Sequence, residues 1–277
     1  MTWIYVWTSA IKNVYVWTTA AKAVYVGTTK VRPNWWDMSK WTLAQTSSAL
    51  PWTWYWWVFF NPTWTKIFIT WNSRVYESSL STPFDLSQFS TSKYLSIHAE
   101  DIHFSTDGTK MYLLDEASAS STVYEYKLST AWDISTYQYT GYLGWFNGYC
   151  RWLYITPDGK TMYVTIRNST TYYKVSMSTA WTISTHWSIS SLTSSIWWLS
   201  LWIGNDGKFA AWWDDESENT LRYGTLTTAY NLSTATSIWT KNVWTTRAWW
   251  IWFNDEWTIC VIVWWWGNTN YITKYTL

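Results

Sequence analysis

Polar and apolar residues alternate in short runs along almost the whole chain, and the runs repeat. "IYVWTSAIKN" (4–13), "VYVWTTAAKA" (14–23) and "VYVGTTKVRP" (24–33) each join alternating β-formers to a small polar segment. This ten-residue period predicts one strand and one turn per unit. A unit of that size cannot bury a core alone. Residues 1–33 are therefore expected to pack on the next domain, on sister chains or on a larger assembly, as an assembly or anchoring segment.

A longer repeat follows. "VFFNPTWTKIFIT" (58–70), "IHFSTDGTKMYLL" (102–114), "LYITPDGKTMYVT" (153–165), "LWIGNDGKFAAW" (201–212) and "IWFNDEWTICVIV" (251–263) each place a turn between two apolar runs. Asp-Gly in that setting is a strong hairpin signal. The turn positions 64, 108, 159, 207 and 257 lie 44, 51, 48 and 50 residues apart. A second marker closes each unit: "LSTPFDLSQ" (80–88), "LSTAWDIST" (128–136), "MSTAWTIST" (177–185) and "LTTAYNLST" (226–234). The fifth unit lacks it, and a shorter version, "MSKWTLAQ" (38–45), stands before the first turn. The order is thus cyclic. It predicts an all-β chain: a five-bladed β-propeller over 34–277, closed by an N-terminal strand and preceded by the three short β-units of 1–33. Radial closure removes the exposed sheet edge that a linear array would leave.

"YITPDGKTMYVTIRNSTTYYKV" resembles the YVTN-type, WD40-like propeller repeat, in which a Pro-Asp-Gly-Lys turn precedes a Tyr-Val-Thr strand. "LSTAWDIST" and "VYVGTTKVRP" resemble segments of propeller proteins encoded by bacteriophages and found in metagenomic sequence. The second resemblance implies a virion protein, assembled in the host cytoplasm.

Composition adds one anomaly, 31 Trp against 10 Gly in 277 residues. Glycine is ordinarily about 7% of a chain. Trp7 and Trp17 align with Gly27, while Trp64 and Trp257 align with Gly108, Gly159 and Gly207. Trp57, Trp152 and Trp250 stand where the repeats it resembles carry Gly. A turn residue with positive φ suits Gly and strains a residue with a Cβ by about 1–2 kcal/mol. Trp132 and Trp181 align instead with Phe84 and Tyr230, so two populations of tryptophan are expected. The reading that follows is that many of these codons are UGA, translated as Gly by the source organism. On that reading Trp264–Trp266 are a Gly-rich turn in the fifth unit. A genuinely Trp-rich propeller with aromatic sugar platforms is the alternative.

Net charge of +1, with 13% charged residues, gives no electrostatic footprint for nucleic acid. No apolar run approaches a membrane span, and the N-terminus lacks the features of a secretory signal. Cys150 and Cys260 read as unrelated buried thiols.

"SIHAEDIHFS" (96–105) is the main polar cluster and is expected on an innermost strand beside the central channel. Alternation sends His98 and Glu100 to one face and Asp101 and His103 to the other, which works against one shared metal. With Arg151 and Arg247 these four form the candidate ligand-binding set of the channel; no catalytic residue, metal ligand or cofactor is assigned. Asp107, Asp158, Asp206 and Asp255 recur in equivalent turns, which explains them as turn formers rather than glycosidase acids. The expected function is therefore structural and binding: a tail, fibre or appendage protein. It would contact virion proteins or sister chains through 1–33 and a host-surface glycan or protein through its loops. A propeller-type carbohydrate-active hydrolase and a bacterial surface or periplasmic propeller remain alternatives.

Overall fold

Strand after strand follows the alternation read from the sequence, and burial falls from the inside of each sheet outward. The computed structural model describes residues 24–26, 29–31, 42–46, 57–71, 73–83, 85–86, 93–117, 120–167, 169–194, 200–204, 206–213, 220–242, 247–253, 259–266 and 269–276. The chain divides into two units, Met1–Lys40 and Trp41–Leu277. Within the first, β1 (Val24–Val26) and β2 (Thr29–Val31) form a tight antiparallel hairpin with Val26 opposite Thr29. The polar segment expected as a turn thus supplies a second strand. The first two short units lie outside the described residues.

The second unit opens with β3 (Thr42–Thr46). Among its described residues are five four-stranded antiparallel sheets. The first holds β4 (Trp57–Phe60), β5 (Lys66–Trp71), β6 (Arg74–Ser79) and β7 (Lys93–Leu95). The second holds β8 (Asp101–Phe104), β9 (Lys110–Ala117), β10 (Ser120–Leu128) and β11 (Tyr137–Asn147). The third holds β12 (Cys150–Ile155), β13 (Thr161–Ile166), β14 (Thr171–Met177) and β15 (His186–Thr193). The fourth holds β16 (Ser200–Ile203), β17 (Phe209–Trp213), β18 (Thr220–Leu226) and β19 (Ala235–Asn242). The last joins β20 (Arg247–Phe253), β21 (Ile259–Trp266) and β22 (Thr269–Thr276) to β3. There Thr273 faces Thr46 and Thr276 faces Thr42. Strands β4, β8, β12, β16 and β20 lie against one another in turn, and β20 lies against β4. This is the β-propeller fold: meandering sheets around an axis, first strands innermost.

Each sheet packs its faces on its neighbours, so the inner strands are buried on both sides. Every residue of β12 and of β17 is buried, whereas β15 is exposed along most of its length. That explains why inner strands read as continuous apolar runs rather than clean alternation. Trp264–Trp266 are not a turn: they extend β21, with Trp264 opposite Tyr271 and Trp266 opposite Thr269. Asp115–Ala117 extend β9 in the same way, and aromatic residues favour the extended backbone.

The recurring turn is the structural hub. Gly108, Gly159 and Gly207 have φ of +70°, +69° and +67°, and Trp64 takes +57° at the equivalent position. The closing segment then folds its aromatic residue over the turn. The N–H groups of Trp132, Trp181 and Tyr230 donate to the carbonyls of Gly108, Gly159 and Gly207 at 3.0, 2.7 and 2.7 Å. A Cβ on Gly108 would lie 2.1 Å from the Trp132 ring, and one on Gly159 2.4 Å from Trp181. Glycine is thus needed twice, for its conformation and for its missing side chain. Trp132, Trp181 and Tyr230 themselves sit at φ of 62°, 58° and 58°. Positive φ therefore does not separate two populations of tryptophan, contrary to the sequence expectation, because aromatic burial offsets the strain at both sites. Trp64 is buried and stacks on Phe60 with ring centroids 4.6 Å apart.

Each described closing segment continues into a 3-10 turn whose leading apolar residue, Ile134, Ile183 or Leu232, is fully buried. Asp133 and Asn231 cap two of these turns through the N–H groups of Ser135 and Ser233. Gly108→Ala is expected to lower unfolding free energy by about 2–4 kcal/mol, from strained φ and overpacking together. Gly141→Ala, where a Cβ meets nothing within 4 Å, should change it by less than about 0.5 kcal/mol. Urea denaturation of both variants measures the difference.

Candidate functional site

The polar segment 96–105 splits as alternation requires, but β8 begins only at Asp101, so His98 and Glu100 lie on the segment leading into it. His98 Nδ1 and Asp115 Oδ1 share a hydrogen bond of 2.6 Å. Glu100 Oε2 accepts from Arg151 Nη1 at 2.5 Å, and Arg151 Nε forms an ion pair with Glu116 Oε2 at 3.2 Å. Burial pushes the Glu116 carboxyl up, and Arg151 only partly opposes this. Arg151 reaches both acids because the β12–β13 register shifts between Cys150 and Trp152, leaving Arg151 on a bulge. Sequence alignment carried no signal of that bulge. Arg247 begins β20, and its side chain lies outside what is described.

Asp101 and His103 take the other face. Asp101 is buried, and its two carboxylate oxygens accept from the N–H groups of Ile102 and Leu153, each at 2.7 Å. It therefore stitches β8 to β12. Burial drives its carboxyl toward the neutral form, against those two hydrogen bonds. His103 borders a cavity of about 300 Å³ bounded by the first strands and by the turn residues Pro62, Thr106 and Pro157. Its ring meets Phe59 and Tyr154 edge-on at 5.3 and 5.7 Å and stacks near Trp181 at 6.3 Å. Phe59 in turn stacks on Trp132 at 6.2 Å. His103 Nδ1 is sealed from solvent without a hydrogen-bond partner. Burial pushes the imidazole down to about 4, opposed by a backbone hydrogen bond at Phe104. The described candidates thus do not converge: His98, Glu100 and Arg151 belong to a polar cluster with Asp115 and Glu116 where the inner strands begin, and His103 borders an aromatic cavity where they end.

Asp107, Asp158 and Asp206 accept from the N–H groups of Thr109, Lys160 and Lys208, each at 3.0 Å, as turn formers do. The side-chain hydrogen bond from Ser105 holds Asp107 below its usual range. Asp255 lies outside the described residues. Cys150 and Cys260 are both buried and are not joined in a disulfide, and burial pushes Cys150 up to about 11.

Sequence reasoning missed a row of tyrosines on the second sheet. Ring centroids run Tyr137–Tyr126 at 5.8 Å, Tyr126–Tyr139 at 5.8 Å, Tyr139–Tyr124 at 6.4 Å and Tyr124–Tyr142 at 6.3 Å. Tyr137, Tyr139 and Tyr142 remain 42%, 51% and 60% exposed. Strict alternation would put Tyr142 on the opposite face from Tyr139. The register shift that leaves Thr140 unpaired between Tyr139 and Gly141 returns it to the row. Thr140 Oγ1 is held there by the Glu125 carboxylate at 3.0 Å.

No protein-family model and no curated protein matches this chain. Among solved structures, it is similar to the β-propeller domain of Cps50 (Swd1) from Myceliophteria thermophila. The TM-score is 0.48 and identity 9%, over 86% of this chain and 99% of that one. It is also similar to hydrazine synthase from Kuenenia stuttgartiensis, with TM-score 0.48 and 15% identity, over 87% of this chain and 59% of that one.

Because the folded His103 binds its proton less readily than the unfolded chain, unfolding takes up a proton between about pH 6.5 and pH 4. Stability carried by His103 is full above that window and is lost as pH falls through it. His103→Phe, which copies Phe59 at the equivalent position, should therefore gain on the order of 2 kcal/mol over the parent chain between pH 7 and pH 4. Parallel urea titrations at both pH values check this.

Proposed function

We propose that this chain is a non-enzymatic binding and structural protein, a five-bladed propeller that serves as a tail, fibre or appendage component of a bacteriophage particle and contacts a host-surface glycan. Five sheets whose first strands touch in a cycle support the blade count. The observation that carries the binding role is the tyrosine row. Five phenol rings, each in contact with the next along the row, give a platform that pairs apolar faces with hydroxyl groups, at little entropic expense on binding. Its chemistry suits a polyhydroxylated ring chain better than a charged partner. Binding is favoured over hydrolysis because the carboxylates beside the channel are engaged: Asp101 by two backbone N–H groups, Glu100 and Glu116 by Arg151. A glycosidase needs two carboxylates facing each other across the scissile bond. The virion assignment rests on the resemblance of "LSTAWDIST" and "VYVGTTKVRP" to phage-encoded sequences. Residues 1–33 would join the propeller to other virion proteins or to sister chains.

In a glycan-array screen of the whole chain, Tyr139→Ala is expected to weaken the leading hit by about tenfold, a loss of roughly 1.4 kcal/mol. Circular dichroism should remain unchanged. Unaltered glycan binding in that variant, or release of new reducing ends from the bound glycan, would overturn the reading.

The tryptophan excess belongs to the same proposal, with UGA read as Gly in the source genome. Trp64 occupies a left-handed turn that the sister turns fill with Gly. Trp213 buries its indole N–H without a hydrogen-bond partner, a situation that costs about 1–3 kcal/mol. Coding DNA is expected to carry UGA at positions 64 and 257 and UGG at 132 and 181. UGG at 64 and 257 sinks the idea.

A further inference from the structure

The tyrosine row does not stop at Tyr142. Cross-strand partners share one face of a sheet, and so do residues two apart on a strand. Thr122 stands two residues before Tyr124, and its partner on β9 is Asp115, so both lie on the face that carries the row. A Cβ on Gly144 would come 3.5 Å from Thr122 Oγ1 and 3.6 Å from the Tyr142 ring, so the glycine leaves room beside the last ring and the threonine hydroxyl. Asp115 gives one carboxylate oxygen, Oδ1, to His98, and 21% of its side chain stays exposed. Its other oxygen, Oδ2, accepts no hydrogen bond from a described residue. We propose that the row binds an uncharged, linear glycan lengthwise, across three or more sugar units, and that Asp115 selects it. Asp115 Oδ2 accepts from a sugar hydroxyl at one end of the row, and its charge repels acidic sugars. This deepens the glycan reading above and rests on it.

Spacing argues for a chain rather than a single terminal sugar. The exposed rings, Tyr137, Tyr139 and Tyr142, all stand on β11. Tyr139 and Tyr142 pair with Tyr126 and Tyr124, which are two residues apart, so the bulge keeps the second step equal to the first. At about 3.4 Å per residue, the three rings recur at intervals of about 7 Å and span about 14 Å. A sugar ring is close to a phenol ring in size, so one sugar covers one tyrosine and leaves the other two in water. Charge argues for a neutral chain. Glu125 and Lys110 pair with each other on the opposite face of the sheet. Along the described strand positions of the tyrosine face, Asp115 is the one charged residue of this sheet. Burial, and after it the Asp115 charge, raises the Tyr124 hydroxyl above its usual range, so that hydroxyl stays an uncharged donor. A sugar carboxylate or sulfate laid along the row would meet a like charge at Asp115.

A glycan array tests this on the full chain at pH 7. It carries linear glucose, mannose, galactose and N-acetylglucosamine oligomers of one to six units, beside hexagalacturonate and a sulfated hexasaccharide. A neutral hexasaccharide is expected to lead and to bind about tenfold more tightly than its own disaccharide, because it reaches all three exposed rings. Tyr137→Ala and Tyr142→Ala, at opposite ends of the row, should each weaken that hexasaccharide by about fivefold to tenfold. Asp115→Asn should narrow its preference over hexagalacturonate by about threefold to fivefold, a change of ranking that lost stability alone does not produce. Equal binding of mono- and hexasaccharide, a leading acidic glycan, indifference to either end substitution, or an unchanged preference in Asp115→Asn would each overturn this inference. Any of these leaves a Tyr139-dependent glycan platform in place. Absence of binding across the whole array overturns both readings. Should an alanine variant not fold, the chain-length series on the parent protein decides.

Discussion

Everything in the propeller depends on one arrangement: an aromatic residue laid over the turn of its own sheet while its backbone is held by the sheet before. Trp132 donates its N–H to Gly108, and its carbonyl accepts Lys66 Nζ at 2.6 Å. Glu77 completes the grip by binding Lys66 at 2.6 Å through one oxygen and the Ile134 N–H at 2.9 Å through the other. The next junction repeats it. Lys110 meets the Trp181 carbonyl at 2.5 Å and Glu125 at 2.9 Å, and Glu125 accepts from Ile183 N–H at 2.8 Å. A buried carboxylate with a lysine and a backbone donor has its charge met, so removing one partner is far more damaging than the net worth of the pair suggests.

Further round, the lysine and glutamate positions become Thr161 and Lys174, and rings take over. Tyr154 and Tyr230 stack at 6.4 Å there. The geometry of the closing segment survives the change of chemistry, because the turn, its carbonyl and the ring above it are common to all three described junctions. The polar and aromatic versions are two solutions to one requirement, fixing the angle between successive sheets. Glu125 has a further role in the second sheet, where it also holds the bulged Thr140. One carboxylate thus connects the inter-sheet grip to the alignment of the tyrosine platform.

Much of this was legible in the sequence, in particular places. Asp-Gly turns and "STAW"-type closers marked the sheets and their order, since a turn at positive φ and a covering aromatic are both local demands. The clustering of His98, Glu100, Asp101 and His103 was visible, and so was its division between two faces. What alternation could not reveal were its own interruptions. Arg151 reaches Glu100 and Glu116, and Tyr142 joins Tyr139, through one-residue register shifts that depend on cross-strand packing. Trp264–Trp266 were misread for a related reason: comparison with sister loops suggested a turn, whereas pairing with β20 and β22 extends the strand.

The pairing of β3 with β22 also sets an order of events during synthesis. Residues 42–46 leave the ribosome early, yet their partners at 273–276 are among the last of the second unit to be made. At about 5–20 residues per second, that separation lasts on the order of ten to fifty seconds. Throughout that interval the nascent chain carries a strand without its partner, and its growing array of sheets has two open ends. Closure is therefore a single late event that turns an extensible stack into a finite object, and a nascent neighbour offering the same strand is the natural competitor for it.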